Sequence, residues 1–335
     1  MSTNSFRSLI KETVDYISCN MDCNYILIGE NTSGKSELLS CIMGKIKNTG
    51  DPLFYFIDSV NRSFHLNEIG YSKEEKEFDH FEVRRQRTDN LFNKLDSFGV
   101  GKIESIYWMH EEVLKDLIFD FLGLNIDIKV NNQEGSPVPI PAKIEIIRDG
   151  ISFSEEGECD LNIPNGMQAV IRLFLELLFF KSKVQNDVLH SKAVVFIEEL
   201  DLYLSENYSS KIFNFLVRRF PEFLFIVSTH SRDLTISAEN ATVIAIKGLE
   251  KRIVNSGENY QLDVEELFAD IFHTKETSMH TNDDSTDRKI RILLNKKIGN
   301  SWSEEDQQTF NELMEEKLFP HQIFLMEEIK RWKYG

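Results

Sequence analysis

Basic residues are in short supply in this chain: 38 Lys and Arg stand against 55 Asp and Glu, a formal net charge of −17 over 335 residues. Gripping phosphate backbones relies on Lys and Arg, so a surface this acidic disfavours tight, non-specific wrapping of nucleic acid. A local basic groove, or one supplied by a partner, stays open. Cysteine is scarce too. Cys19, Cys23, Cys41 and Cys159 form no pair of C-x-x-C motifs, and Cys19 and Cys23 lie in a segment without histidine, which points away from zinc and toward free thiols in a reducing cytosol. Long apolar runs are missing. The longest, residues 169–180, is broken by Arg172 and Glu176 and is too short to span a bilayer. In place of a signal peptide's apolar core, the N-terminus has Phe6, Leu9, Ile10, Val14 and Ile17 at the spacing of an amphipathic helix. No internal repeat is visible. The expectation is a soluble, cytoplasmic protein without a membrane partner, whose 41% hydrophobic residues suffice for one large domain or two.

What is present starts with Gly29-Glu30-Asn31-Thr32-Ser33-Gly34-Lys35-Ser36, which fits G-x-x-x-x-G-K-[ST] at every fixed position. The glycines free the backbone to curl its N–H groups into a nest for phosphate oxygens. Lys35 can then reach the β- and γ-phosphates, and the Ser36 hydroxyl can ligate Mg²⁺. Residues 24–28 read as a buried strand. From Glu37 onward, Leu38, Leu39, Ile42, Met43 and Ile46 fall at helical spacing, so a helix N-terminus faces the phosphates. The chain is expected to bind a nucleoside triphosphate.

Residues 1–60 read as an αβα unit followed by a strand at 53–57. Residues 61–135 turn charged and mostly helical, with a basic cluster at Arg84, Arg85 and Arg87. A stiff loop at 135–141 returns the chain to the core, and a hairpin follows with an Asp149-Gly150 turn. A buried helix is expected over 167–180, and parallel-type strands at 193–197, 223–227 and 242–246. Beyond Leu249 only helices are expected, one capped by Asp263 and one opened by Ser303 with Asp306. This gives a discontinuous core of 1–60 and 136–249, an insertion of 61–135 and a helical region of 250–335.

The strand at 193–197 ends in Glu198 and Glu199. Two carboxylates there can serve Mg²⁺ and an attacking water, or simply open an acidic helix. The strand at 223–227 runs into Ser228, Thr229 and His230, at the sheet edge where open α/β folds bind ligands. Asn165-Gly166 opens the buried helix. Asp58-Ser59-Val60-Asn61-Arg62 is either a second nucleotide-sensing loop or an ordinary polar turn.

Together, GENTSGKS, NGMQAVIRLFLEL, FIEELDLYLS and FIVSTHS resemble the ordered motif set of ABC-type ATPases. The branch they are most similar to is the soluble RecF/SMC/OLD-like group, which includes ATPases of anti-phage defence systems such as Septu. The resemblance covers residues 24–246. It implies an α/β P-loop core with a mostly parallel sheet, a helical insertion and a C-terminal helical region. ATP and Mg²⁺ would be the ligands. Two cores would pack head to tail, with each ATP between one copy's phosphate loop and the other's signature turn. By carry-over, Gly29, Asn31, Thr32, Ser33, Gly34, Lys35, Ser36 and Glu37 would cradle the nucleotide, with Ser36 and Glu198 on the metal. Glu199 would be the base, His230 the γ-phosphate switch, Lys35 a catalytic cation and Asp201 a residue at the dimer seam. Asn165 and Gly166 would meet the partner's γ-phosphate.

Three departures stand out: Glu198 replaces the usual Asp, Asn165 replaces the signature Ser, and the Leu-His-Pro stretch has lost its His and Pro. They point to slow hydrolysis. A transporter subunit fits poorly, and Asp283, Asp284 and Asp287, the one acidic cluster after the core, read as solvated loop instead of a nuclease site. The leading expectation is a nucleotide-dependent sensor or scaffold that assembles with a separately encoded effector in anti-phage defence. The alternative is a RecF-like DNA-repair clamp using Arg84, Arg85 and Arg87.

Overall fold

A computed structural model describes residues 6–49, 52–59, 62–65, 69, 103–131, 140–148, 151–152, 163–185, 193–257, 259–272, 283–298, 302–315, 326 and 329–330. Helix α1 (Phe6–Cys19) and strand β1 (Asn24–Gly29) lead through the glycine-rich loop into α2 (Lys35–Thr49) and β2 (Leu53–Ile57). Later come β6 (Ala193–Ile197), β7 (Phe223–Ser228), β8 (Ala241–Lys247) and β9 (Glu250–Asn255). These strands form one sheet in the order β2-β6-β7-β1-β8-β9. All neighbours are parallel except β8 and β9. The fold is α/β with a mostly parallel sheet, as the sequence leads one to expect.

Burial explains why these segments are strands. Every residue of β1 and of β6 is buried, as parallel strands covered on both faces require. Alternate residues serve opposite faces. Tyr25, Leu27, Phe56, Val194, Phe196, Ile226 and Ile244 pack with the apolar stripes of α1 and α2. On the other face Tyr55 stacks on Phe180 of α4 (Asn165–Gln185), their ring centroids 5.3 Å apart. α4 is a residue or more longer at each end than its apolar run, 13 of its 21 residues being buried.

Three expectations change. The strands do not stop at Leu249. Gly248, with φ at 59°, turns the chain into β9, which pairs antiparallel with β8 from Lys247↔Glu250 to Thr242↔Asn255. No residue of β9 is fully buried, so an edge strand leaves little apolar signal to read. The second change concerns the segment expected to be helical up to 135. It contains α3 (Tyr107–Leu122) but ends in β3 (Asn125–Asn131), part of a separate antiparallel sheet with β4 (Ile140–Arg148) and β5 (Ile151–Ser152). Its ladder shifts register between Lys129 and Val130, where Val130 faces Pro141, a residue with no N–H to donate. Arg148 pairs with Ile151, and the expected Asp149-Gly150 turn lies outside the described residues. So do Arg84, Arg85, Arg87 and Cys159.

The chain divides into one compact unit at 1–256 and another at 257–335. In the second, α7 (Tyr260–Phe272) starts ahead of Asp263, which sits in its first turn instead of capping it. The third change lies in α8 (Asp283–Ile298), which is helical from Asp283 onward where a loop was expected. Carboxylates at a helix N-terminus suit its positive end. Helix α9 (Glu304–Glu315) has the expected cap: Asp306 N–H donates to Ser303 Oγ at 3.2 Å, and Ser303 N–H to Asp306 Oδ2 at 2.9 Å. Among the described residues, no helix is long and apolar enough to cross a membrane.

Candidate nucleotide site

The strand order sets the site. Parallel strands present their C-terminal ends on one edge, and here β6, β7 and β1 are consecutive neighbours. Neighbouring strands are about 4.8 Å apart, so the ends of β6 and β1 lie roughly 10 Å from one another. Into that space project Glu198 and Glu199 from β6, His230 from beyond β7, and the glycine-rich loop from β1.

The loop is tight. Ser33 N–H donates to Glu30 O at 3.1 Å, Thr32 has φ at 69° and Gly34 at 95°. Gly34 is doubly required, because a Cβ there would also meet the Phe6 ring at 2.3 Å. A Cβ on Gly29 would stand 2.5 Å from Ser33 Oγ and 2.6 Å from Ile246 O. Lys35 is buried, and its ammonium donates to Gly29 O at 2.7 Å and to Glu30 O at 3.1 Å. Burial pulls its pKa down, with Glu199 and Glu198 opposing. Asn31 and Thr32 are exposed at the loop tip, and Ser36 and Glu37 are exposed on the first turn of α2.

Ser36 Oγ donates directly to Glu198 Oε1. Two oxygens in adjacent positions around an octahedral Mg²⁺ lie about 3 Å apart, given ligand distances of 2.0–2.1 Å. A hydroxyl and a carboxylate already in hydrogen-bond contact therefore fit that ion with little movement. Among the described residues no group of three or more His, Cys, Asp and Glu could hold a metal; a site for Mg²⁺ with a nucleotide uses one or two protein ligands and the phosphates.

Glu199 follows with φ at 51°, in the left-handed region. Its N–H donates to Ser228 Oγ at 3.0 Å, and the next N–H, of Leu200, to Ser228 O at 3.0 Å. A non-glycine residue held this way by β7 is over-determined, as strained residues at functional sites are. Glu199 Oε1 lies 3.9 Å from His230 Nε2, both side chains being about one-third exposed. Burial lowers the His230 pKa, Lys35 lowers it further, and Glu199 and Asp201 oppose.

This arrangement sets a pH expectation. The unfolded chain takes up the His230 proton at the ordinary 6.5 and the folded chain only below it. This contribution to stability is complete above 6.5 and is lost as pH falls toward the folded value. An NMR titration of His230 should return a pKa below 6.5, and Lys35→Met should move it upward. A value above 6.5 in the unaltered chain would show the ring is not held neutral.

The structure thus gathers Lys35, Ser36, Glu198, Glu199 and His230. Asp201 is bonded within its own chain, accepting from Thr229 Oγ1. Asn165 is exposed at the start of α4, and no described contact links it or Gly166 to the phosphate loop. Gly166 is seated against Tyr203, whose carbonyl would be 2.8 Å from an added Cβ. The sequence leaves residues 58–62 open between a nucleotide-sensing loop and a polar turn, and their contact with Glu198 is not foreseen. Ser59 Oγ donates to Oε2 at 3.1 Å and Arg62 to the backbone O at 2.9 Å. Both belong to the polar turn after β2, and β2 pairs directly with β6. Polar residues closing a parallel strand were the available signal.

No protein-family model matches this chain, and no curated protein does. Among solved structures it is similar to heads of SMC proteins. One, described by ATP-driven dimerization and DNA-stimulated activation of SMC ATPases, is 13% identical at a TM-score of 0.32, over 49% of this chain and 96% of that one. The SMC head domain from Thermotoga maritima is 15% identical at 0.30, over 47% of this chain and 50% of that one. The Smc head domain with a coiled coil and joint from Pyrococcus yayanosii is 13% identical at 0.31, over 56% and 32%. The alignments take in half or less of the Thermotoga and Pyrococcus chains.

Proposed function

We propose that this chain is an ABC-type ATPase that binds ATP with Mg²⁺ and works as a nucleotide-dependent sensor or scaffold. The observation that carries the reading is the hydrogen bond from Ser36 to Glu198 across 162 residues, with Lys35, Glu199 and His230 on the same sheet edge. Gly29 to Glu37 would enclose the phosphates, and Lys35 would leave its own loop's carbonyls for their charge. Ser36 and Glu198 would hold Mg²⁺, which when bound neutralises phosphate charge. Glu199 would take a proton from the attacking water, and a neutral His230 would donate a hydrogen bond to the γ-phosphate.

Self-association belongs to the same proposal. Glu199 and His230 are part-exposed, and Asn165 is solvent-facing on α4, so a second copy packed head to tail would bring its Asn165-Gly166 turn to the open side, with Asp201 near the seam. Slow turnover rests on Asn165 in place of the signature Ser and on the Leu-His-Pro stretch that has lost its His and Pro, while Glu198 with its longer arm still meets Ser36. The separately encoded effector and the anti-phage setting rest on the sequence resemblance alone.

Lys35→Ala is the direct test. Binding of a fluorescent ATP analogue should weaken at least tenfold, while circular dichroism stays unchanged. Equal affinity in the variant, or none in the unaltered chain, would remove the proposal.

A further inference from the structure

Glu198 is held from more directions than a plain metal-ligating carboxylate needs. Its own N–H donates to Ile57 O at 2.9 Å, and its carbonyl accepts from Arg62 at 2.9 Å. Its two carboxylate oxygens accept from different hydroxyls, Oε1 from Ser36 and Oε2 from Ser59. Peptide and side chain are therefore each fixed at both ends. Arg62 is itself buried and cannot move to water. A glutamate in this position carries one C–C bond more than an aspartate, roughly 1.5 Å of extra reach, and one more rotatable angle. Left alone, that freedom would let the carboxylate swing away from Ser36.

We propose that Ser59, supported by Arg62, is a positioning residue that holds the longer Glu198 carboxylate in register for a divalent cation. The inference rests on the nucleotide-site reading above and assigns the residues of one turn a task in it. When Ser36 and Oε1 turn to a cation, Ser59 keeps its grip on Oε2. The carboxylate then presents a single oxygen instead of rotating to offer both. Mg²⁺ requires near-ideal octahedral geometry, whereas Ca²⁺ accepts mono- or bidentate carboxylates in flexible shells. The restraint should therefore matter for Mg²⁺ and little for Ca²⁺. The geometry also separates Ser59 from a residue that merely fills space: it is half-buried, just past the last residue of β2, and its hydroxyl is turned to the carboxylate.

The test uses the full chain and a fluorescent ATP analogue, titrated with Mg²⁺, with Ca²⁺, and in excess EDTA. Ser59→Ala should bind the analogue in EDTA as the unaltered chain does. Its half-saturating Mg²⁺ concentration should rise about tenfold, the worth of one hydrogen bond to a charged group, and its Ca²⁺ curve should move less than threefold. Ser59→Thr keeps the hydroxyl and should restore the Mg²⁺ curve. Mg²⁺ and Ca²⁺ curves that both stay in place in Ser59→Ala, or that shift equally, would overturn the proposal while leaving the nucleotide site standing. An unaltered chain that binds no analogue under any condition would remove the site itself. Arg62→Lys, which keeps a buried cation with a single donor head, should reproduce a weaker form of the Mg²⁺ shift. A thermal transition unchanged from the parent shows that each variant is folded.

Discussion

ATP turnover by Glu199→Gln should fall at least a hundredfold while ATP is still bound. The substitution keeps the size of the side chain and its capacity to accept a hydrogen bond, and removes the basicity. A positioned general base contributes about 10²–10⁴ in rate, and among the described residues the neighbouring carboxylates are already engaged, Glu198 by Ser36 and Ser59 and Asp201 by Thr229. The backbone of Glu199 is fixed by Ser228 through its N–H, so the exchange should not rearrange the turn. The loss should therefore appear in kcat, with the affinity for a fluorescent ATP analogue unchanged within about threefold. If two copies close on the nucleotide, the variant should also persist as a species of twice the mass in light scattering when ATP and Mg²⁺ are present. The same trapped form would serve as bait to test for the proposed effector. Turnover at the parent rate would remove Glu199 from the chemistry and, with it, the head-to-tail ATPase reading of this edge.

The candidate site was legible where a residue closes an apolar run. Gly29 and Ser228 end, and Glu198 directly follows, strands with no exposed residue, and a residue that breaks such an apolar run stands out. The mostly parallel sheet follows from the same runs. What could not be read depends on strand order. Nothing in the sequence says that β2 lies beside β6, yet that neighbour relation is what lays Ser59 and Arg62 against Glu198. Gly166 shows a similar limit. The resemblance assigns it to a partner's γ-phosphate, and only the structure shows that a carbonyl of the same chain, at Tyr203, would lie 2.8 Å from a Cβ there. Edge strand β9 was missed because it buries little, and the residues following Ile57 were left undecided because a polar turn and a functional loop have the same composition.

Glu176→Leu should destabilise the chain by about 3–5 kcal/mol, the cost of breaking a buried charge pair from one side, and Arg172→Leu should cost less. The asymmetry follows from what each leaves behind. Glu176, fully buried, accepts from Arg172 Nε at 2.9 Å, and it is also the strongest attraction acting on the buried Arg62. It thus lies between two arginines that repel one another. Remove Arg172, and Glu176 keeps Arg62 as its counter-charge, while the 3.2 Å bond from Arg172 to Ser63 O is lost as well. Remove Glu176, and two guanidinium groups face each other in the interior with Asp58 and Glu198 as the nearest relief for Arg62. Urea unfolding with a common m-value reads the difference as a shift in midpoint. The double variant with leucine at both positions should recover part of the loss, because no uncompensated charge remains at this pair. Equal costs for the two single variants would mean that Arg62 does not share Glu176. The segment after β2 would then be tied to α4 through contacts such as the Arg172 bond to Ser63 O and the Phe64 N–H bond to Gln168 Oε1 at 3.1 Å. The ordering of these two variants therefore reports directly on whether the turn that holds Glu198 and the helix that begins at Asn165 are one electrostatic unit.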